Sequence, residues 1–439
     1  MTRAPLDGGA AGTRDEEPRA GLWRNRDFTL LWTGQCLSDL GGAMVDLALP
    51  LLVLQQTGSP ARAGLVGTAG LVTTLVCRLP AGVLADRFDR RGLMIACDVL
   101  RLVAYAMLGW AVVTGGASLP VILTVVVVGA AATAVFSTAE HASVRTLVSP
   151  GQLTSAVARN EARTYGVTLA GPPLGGLLFG LGRALPFFCD ALSFLLSLAA
   201  VSRIRRPLQQ LRREPAPPVG ASVKEGLRFL LGHPFLRALL LIAAPLNMAF
   251  TGMVFAMTLA LRRAGVSPFL VGVAGTVFAL GGLLGALAAP ALQRRLRLRL
   301  PVLITLLCWT TAVLMTAGAL LAGTITAAVP LAAAVFLGPT ANAALFAHQT
   351  AVTPDHLQGR VVAGVLLAAG SAAALAPALA GALLARRPPG PALLVFPALV
   401  TAAAVTATLS KGIRSEGIGS EGIGSEGIRR EDSGTTPAP

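Results

Sequence analysis

Three charged side chains lie inside long apolar segments near the start of the chain. Asp39 and Asp46 are seven residues apart in one segment and share a helical face, while Arg78 lies in the next segment. Such a carboxylate is a candidate proton carrier or gate partner, because burial disfavours its ionised form and a nearby guanidinium favours it. At about 1.5 Å per residue, Asp39 would lie roughly 16 Å and Arg78 roughly 12 Å from the same surface, so we predict an Asp39–Arg78 pair. A static structural pair is the alternative role.

Other polar side chains in or beside the apolar segments form a second group of candidates. Glu140 ends the fourth segment and is a gate candidate, with a solvated cluster as the alternative. Asp98 and Arg101 are three residues apart and are expected to pair along one helix face. Three amides of later segments are candidates to line a substrate cavity, with hydrogen bonding between helices as the alternative: Asn247, Asn342 and Gln349.

The sequence carries no motif for a metal or a cofactor. Its five cysteines form no CxxC pair and its four histidines show no ligand spacing, so we predict neither. No GKS or GKT sequence is present to bind nucleotide phosphates, which argues against ATP-driven transport by this chain alone. Nothing in the sequence supports an enzyme.

The elements that position these side chains follow from composition. Of the residues, 54% are hydrophobic and 13% are charged, and the mean hydropathy is +0.69, whereas a soluble domain has roughly 25% charged residues. A membrane span needs about 20 mostly apolar residues. The sequence therefore predicts an all-α integral membrane protein with twelve spans, at residues 28–55, 61–85, 93–114, 119–141, 158–182, 184–203, 235–260, 268–290, 301–322, 326–348, 361–385 and 391–410.

The basic residues predict how the spans are oriented. Basic residues near a span end, Arg163 among them, are counted with the adjoining loop. Of the 36 Lys and Arg residues, 28 then fall in the two tails and the even-numbered loops, six fall on the opposite side, and two, Arg78 and Arg101, lie well inside spans. Because positively charged loops stay in the cytoplasm, both termini are predicted to be cytoplasmic. The net charge of +15 is therefore interpreted as topology, and we predict no nucleic-acid partner.

The spans divide into two sets of six. TLVSPGQL at 146–153 and TAVTPDHL at 350–357 follow the fourth and tenth spans, which indicates an internal repeat. We predict five regions: a disordered cytoplasmic tail at 1–27, a six-helix half at 28–203, a cytoplasmic linker at 204–234, a second half at 235–410, and a disordered low-complexity tail at 411–439.

A ten-residue pattern, GVLADRFDRR, follows the second span at 82–91. It resembles the signature of the loop between helices 2 and 3 in the major facilitator superfamily. The resemblance implies twelve transmembrane helices in two pseudo-symmetric halves, and a latch that holds the halves together in the outward-facing state. Gly82 is expected to permit close helix approach, and Asp86 to pair with basic groups or a helix N-terminus. The basic residues of this latch motif are Arg87, Arg90 and Arg91, and its predicted support is Asp98 with Arg101.

The fifth span carries a second pattern, GVTLAGPPLGG at 166–176. It resembles the motif of drug/proton antiporters in the same superfamily, and ordinary small-residue packing is the alternative. Prolines there bend the helix because they cannot donate backbone hydrogen bonds. Further segments, including CDALSFLLS and EGLRFLLGHPFLRAL, resemble the enterobactin-exporter and macrolide-efflux branch. The residues of the antiporter motif are Gly166, Gly171, Pro172, Gly175 and Gly176.

These resemblances predict a secondary exporter of a drug, siderophore or secondary metabolite, driven by proton antiport and alternating access. Its expected partners are a small-molecule substrate, protons and the lipid bilayer of the cell membrane, and it is expected to be a monomer. A proton-coupled symporter that imports a small solute is the alternative on the same fold. A non-transporting membrane receptor or scaffold is the alternative of another class.

Overall fold

The computed structural model describes residues 22–209, 228–296, 299–354 and 357–410. These ranges are almost entirely helical and contain no β-strand. Twelve membrane-length helices follow one another in them: α1 (Arg26–Thr57), α2 (Pro60–Arg87), α3 (Arg90–Thr114), α4 (Leu119–Leu147), α5 (Leu153–Leu181), α6 (Leu185–Ser202), α7 (Pro234–Arg263), α8 (Pro268–Leu296), α9 (Leu300–Leu320), α10 (Ala328–Val352), α11 (Gln358–Arg386) and α12 (Pro389–Leu409, in two segments that meet at Leu394).

Composition distinguishes α5 from the other helices. Within the described ranges, eleven helices are long and apolar enough to cross a bilayer, and α5 falls outside that set although it has 29 residues. Its first half carries Arg159, Glu161 and Arg163, and its second half is rich in glycine and proline. The predicted all-α membrane fold is confirmed, although composition alone does not identify α5 as a span.

Local capping signals set the helix ends. Asn25 Oδ1 accepts a hydrogen bond from the Phe28 backbone N–H, so α1 begins at Arg26, two residues before the predicted start. Gly58 then ends α1 with φ 62°, a conformation that glycine adopts without a steric penalty, and Pro60 opens α2. Residues 1–21, 210–227 and 411–439, which hold most of the predicted tails and linker, lie outside the described residues.

The packing of the helices repeats after α6. In the first half, α1 packs on α5 and α6, α3 on α4 and α6, and α2 on α4. The equivalent helices of the second half pack in the same way: α7 on α11 and α12, α9 on α10 and α12, and α8 on α10. The halves meet where α2 packs on α11 and α5 packs on α8. The packing therefore has the pseudo-two-fold symmetry expected of a chain built from two repeats.

One end of the bundle is closed and the other is open. The largest apolar core joins both halves, and it contains the ends of α1 and α11 together with the starts of α2 and α8. At the opposite end, where α1 begins and α6 ends, each half has a separate core of its own. We call these the closed end and the open end. Any central cavity is therefore reached from the open end.

Candidate functional site

A buried ionic cluster joins three helices of the first half. Arg163 of α5 lies between two carboxylates: its Nε is 3.0 Å from Asp39 Oδ2 of α1, and its Nη1 donates a 3.0 Å hydrogen bond to Glu140 Oε1 of α4. The side chains of Arg163 and Glu140 are only 6% and 5% exposed, whereas that of Asp39 is 39% exposed. Two carboxylates therefore share one guanidinium, and one of them faces open space.

The predicted Asp39–Arg78 pair is wrong. Asp39 pairs with Arg163, and Arg78 is exposed and forms no ion pair in the described part of the chain. The depth estimate was compatible with either partner, but α1 packs mainly on α5 and α6, while α2 packs on α4 and α11. The sequence interpretation assigned Arg163 to a cytoplasmic loop. Its position inside the predicted span 158–182 was the signal that would have identified it.

A cavity of about 330 Å³ adjoins the cluster between α1 and α5. Arg163 is its one charged lining residue, and the other walls are mostly apolar. Its lining comprises Trp32, Cys36, Leu40, Ala162, Arg163, Gly166, Val167 and Ala170. A small apolar molecule in this cavity would lie directly against the guanidinium that holds Asp39 and Glu140.

Asp98 and Arg101 lie in the interior of the first half. They form an ion pair, and Ser197 of α6 donates a 2.8 Å hydrogen bond to Asp98 Oδ2. The Arg101 guanidinium stacks between two rings, 4.5 Å from Phe136 of α4 and 4.4 Å from Phe194 of α6. The pair thus joins α3 to α4 and α6, and its role as support for the latch stays a prediction.

The latch motif makes its described contacts within the first half. Arg90 Nη1 donates to the carbonyl oxygens of Ala142, at 3.3 Å, and Leu208, at 3.1 Å. Arg91 donates to the carbonyl of Ser202, and Asp86 O accepts from Gln209 Nε2 at 3.3 Å. The expected close helix approach at Gly82 is wrong for this structure, because a Cβ there would meet nothing within 4 Å. In this conformation the motif binds the chain that leaves α6.

The antiporter motif packs α5 against two neighbours. A Cβ on Gly171 would collide with Ala43, and one on Gly175 would collide with the Met44 backbone, both on α1. A Cβ on Gly176 would collide with the carbonyl oxygen of Pro268 on α8. Gly166 has open space around it and lines the cavity. Most of the motif therefore lies in helix contacts.

Close backbone contacts of the same kind occur at both junctions between the halves. On the α5–α8 junction, a Cβ on Gly176 or Gly272 would strike the carbonyl oxygen of Pro268 or Pro172, respectively. On the α2–α11 junction, a Cβ on Gly64 or Gly381 would strike that of Pro377 or Pro60. We call these two contacts the glycine–proline seams. They lie at the closed end and are related by the repeat of the chain.

A threonine hydroxyl completes each seam. Pro173 has no N–H to donate to the Leu169 carbonyl four residues earlier, and Thr276 of α8 donates to that oxygen at 2.8 Å. At the other seam, Thr68 of α2 accepts a 2.9 Å hydrogen bond from the Ala378 backbone N–H, one residue after Pro377. Each hydroxyl thus bonds to a backbone group beside a proline of the opposite half.

The second half contributes neutral groups. Between residues 226 and 410 the only acid is Asp355, which lies outside the described ranges. Asn247 and Asn342 are exposed, in keeping with the predicted cavity, but Gln349 is 5% exposed and packs inside its half, so we withdraw it as a cavity residue.

Asp46 of the first half, the remaining acidic candidate of α1, is exposed. Within the described ranges, no group of three His, Cys, Asp or Glu residues is placed to bind a metal.

Comparison with known proteins identifies the family to which the chain belongs. Residues 31–377 match the family model described as Major Facilitator Superfamily. The chain belongs to the major facilitator superfamily. It is therefore a multi-pass membrane transporter of a small-molecule substrate rather than an enzyme.

Two relatives in this superfamily are named as efflux proteins. The "Multidrug efflux pump Tap" of Mycolicibacterium fortuitum is 30% identical over 339 residues, covering 73% of this chain and 80% of the relative. "Macrolide efflux protein A" of Streptococcus pyogenes is 25% identical over 224 residues, covering 50% and 55%. The predicted resemblance to efflux members of the superfamily is confirmed.

Solved structures share the fold. A bacterial homologue of the iron transporter ferroportin in an inward-facing state has a TM-score of 0.67 at 15% identity, covering 91% of this chain and 99% of that one. A bacterial homologue of the lysosomal transporter Spinster, also inward-facing, has a TM-score of 0.65 at 17% identity, covering 91% and 95%. At such identities the likeness concerns architecture alone.

Proposed function

We propose that the protein is a secondary active transporter that exports a small molecule across the cell membrane by proton antiport. The observation that carries this proposal is the Asp39–Arg163–Glu140 cluster. With both carboxylates ionised its net charge is −1, and a buried uncompensated charge is costly. One proton makes the cluster neutral. Because Asp39 is the more exposed carboxylate, it is the member that exchanges the proton with water.

The cluster also couples the proton to substrate. Arg163 is both the shared cation of the two carboxylates and the charged wall of the cavity between α1 and α5. A substrate that fills the cavity holds Arg163 against Asp39, and the guanidinium then favours the ionised carboxylate, so the proton leaves. Conversely, a proton on Asp39 releases Arg163, which can then move into the cavity and displace the substrate. Substrate and proton therefore compete through one side chain, which is the requirement for antiport.

Alternating access follows from the two ends of the bundle. We assign the open end to the cytoplasm, because the excess of basic residues predicts that both termini are there. The molecule is then inward-facing, with the glycine–proline seams closing the outer side. The latch motif belongs to the opposite state: here its arginines bind residues 202–208 of their own half, as expected for a released latch.

Export rather than import is favoured by the names of the relatives. The multidrug efflux pump and the macrolide efflux protein are both described as efflux proteins. The antiporter motif of α5 points in the same direction. We further propose that the protein acts as a monomer, because the cluster, the cavity and both seams are complete within one chain.

A compound panel tests the proposal directly. In a host lacking its own pumps, cells with the protein are expected to accumulate less of at least one drug-like compound than cells without it. A protonophore should abolish the difference, because it removes the pH gradient. Export that survives the protonophore would contradict proton antiport. Higher accumulation, with substrate-driven alkalinisation of the medium, would establish import instead.

The threonines of the seams give a prediction about gating. Thr68→Val and Thr276→Val each remove a hydrogen bond that holds the closed end together. Since such a bond contributes about 1 kcal/mol, each change should shift the balance from inward-facing to outward-facing by roughly fivefold. Distances between pairs of spin labels will report the shift. The labels are placed at Arg62 and Arg386 for the α2–α11 seam and at Leu181 and Leu270 for the α5–α8 seam.

Thr74→Val is the matched control for these variants. Its hydroxyl donates only to the Gly70 carbonyl of its own helix, α2, so the balance should stay at the wild-type value. An equal shift in Thr74→Val would show that the seam bonds have no special role. The labels require a background without the five native cysteines, Cys36, Cys77, Cys97, Cys189 and Cys308.

A further inference from the structure

A second cavity, of about 420 Å³, lies at the open end of the first half. Four arginines from three parts of the chain line it: one at the start of α1, one at the start of α3, and two just after α6. We call this cavity the basic pocket. Its lining comprises Arg26, Arg91, Ser202, Arg203, Ile204 and Arg205.

The arginines of the basic pocket have no carboxylate partner within the described ranges. Arg91 is held in place because it donates to the Ser202 carbonyl, yet its Nε is buried without an acceptor. Asp27 is the nearby acid, and its two oxygens accept the backbone N–H groups of Arg205, at 3.4 Å, and Arg206, at 3.2 Å. Asp27 therefore fixes the chain that carries the pocket and leaves the guanidinium groups for another anion.

The scaffold beneath the pocket is rigid. Ile204 is fully buried and Leu208 is 1% exposed, so the chain after α6 packs into the core of the first half. Arg90 and Thr146 both donate to the Leu208 carbonyl, at 3.1 Å and 3.4 Å. The backbone at Arg203 and Arg205 is thus positioned in advance. A preorganised cluster of cations binds an anion better than a flexible basic loop does.

The position of the pocket indicates which anion reaches it. α3 packs on α4 and α6, and α6 packs on α1 and α3, so the pocket opens on the flank of the first half away from the α2–α11 and α5–α8 junctions. The helices above it present an exposed apolar face, formed by Val99, Leu100 and Val103 of α3 and by Leu192, Leu195 and Leu196 of α6. Basic groups at a helix end below an apolar face match a phosphate headgroup below its acyl chains.

We propose that the basic pocket binds the phosphate of an anionic phospholipid whose acyl chains lie along α3 and α6. The bound phosphate accepts hydrogen bonds from the four arginines that line the pocket, Arg26, Arg91, Arg203 and Arg205. Because Arg91 and the adjacent Arg90 belong to the latch motif, the lipid binds where that motif meets the chain leaving α6. The site is separate from the cavity against Arg163 and does not depend on export or on proton coupling.

Lipid titration of the purified full-length protein tests this proposal. Binding of phosphatidylglycerol, measured by native mass spectrometry and by the shift in Tm, is expected to exceed that of phosphatidylcholine with the same acyl chains. In Arg26→Gln/Arg203→Gln/Arg205→Gln, the affinity for phosphatidylglycerol should fall roughly a hundredfold, since each arginine near an anionic lipid contributes a factor of about five. Arg91 is left unchanged because it belongs to the latch motif.

Arg237→Gln/Arg294→Gln/Arg295→Gln is the matched control. These three arginines are exposed at the same end of the second half, so this variant loses the same charge and should keep its affinity. Equal losses in the two triple variants would overturn the site in favour of a general charge effect. In the wild-type protein, equal binding of phosphatidylglycerol and phosphatidylcholine would overturn it as well. Equal protection by glycerol 3-phosphate would assign the pocket to a soluble phosphate instead of a lipid.

Discussion

Asp39→Asn is expected to abolish efflux driven by a pH gradient while leaving the exchange of substrate across the membrane intact. In this variant Arg163 is still neutralised by Glu140, at 3.0 Å, so the cluster has no surplus charge and the helices stay packed. It also has no reason to take up a proton, because its net charge is already zero. Proton-driven transport should fall to the level of cells without the protein, whereas counterflow of labelled substrate should persist.

Asp46→Asn provides the matched control for this experiment. Asp46 lies two turns further along α1, is exposed, and forms no ion pair in the described ranges, so its replacement should leave proton-driven efflux largely unchanged. Proton-coupled efflux that survives Asp39→Asn would remove Asp39 from the role of carrier. Loss of counterflow together with coupling would mean that Asp39 holds the structure or the substrate rather than the proton.

Gly272→Ala should disfavour closure of the closed end, although it adds a single methyl group. The new Cβ would collide with the carbonyl oxygen of Pro172, a backbone atom of the opposite half that cannot move alone. Overpacking of this kind costs about 1–3 kcal/mol, which corresponds to a roughly 5- to 150-fold shift away from the inward-facing state. Spin labels at Leu181 and Leu270 should move apart, and export should fall in proportion.

Two further glycine variants show whether the shift in the conformational balance depends on the position of the glycine or on the change from glycine to alanine alone. Gly64→Ala should act in the same way at the α2–α11 junction, because its Cβ would meet the carbonyl of Pro377. Gly180→Ala in α5 raises helix propensity by the same amount, but it meets nothing within 4 Å and should leave the balance unchanged. A normal label distance in Gly272→Ala would mean that this seam does not control closure.

The fold could be predicted from the sequence because the bilayer strongly constrains the composition and backbone structure of the segments that cross it. Continuous apolar segments predicted the spans, since every backbone polar group in lipid must be satisfied inside a helix. Helix ends were predicted less well: α4 continues to Leu147, six residues beyond the expected end, and α5 begins at Leu153, five residues before its expected start. Both extensions carry polar residues, Arg145 in α4 and Thr154 with Ser155 in α5, and hydropathy assigns such residues to loops even when the helix continues past the apolar segment.

Only part of the candidate functional site could be predicted from the sequence. Asp39 and Glu140 were identified because acids are costly in a membrane, and that argument needs no knowledge of the fold. Their partner was missed, because an arginine near a predicted helix end has two options, solvent or the interior. Arg163 takes the interior because α1 and α4 bring two carboxylates to it. The seams were also missed, because each threonine bonds to a backbone group of a helix more than 100 residues away.

The unequal distribution of acids between the halves has an electrical consequence. In the described parts of α7 to α12, Asp, Glu, Lys and Arg are absent except at the helix ends, whereas Asp39, Glu140 and Arg163 lie deep in the first half. A membrane potential exerts force only on charge, at about 2.3 kcal/mol per elementary charge for each 100 mV crossed. The membrane potential of an energised cell therefore exerts force on the charged side chains inside the first half. The interior of the second half carries no charged side chain in its described parts, so the potential exerts no such force there.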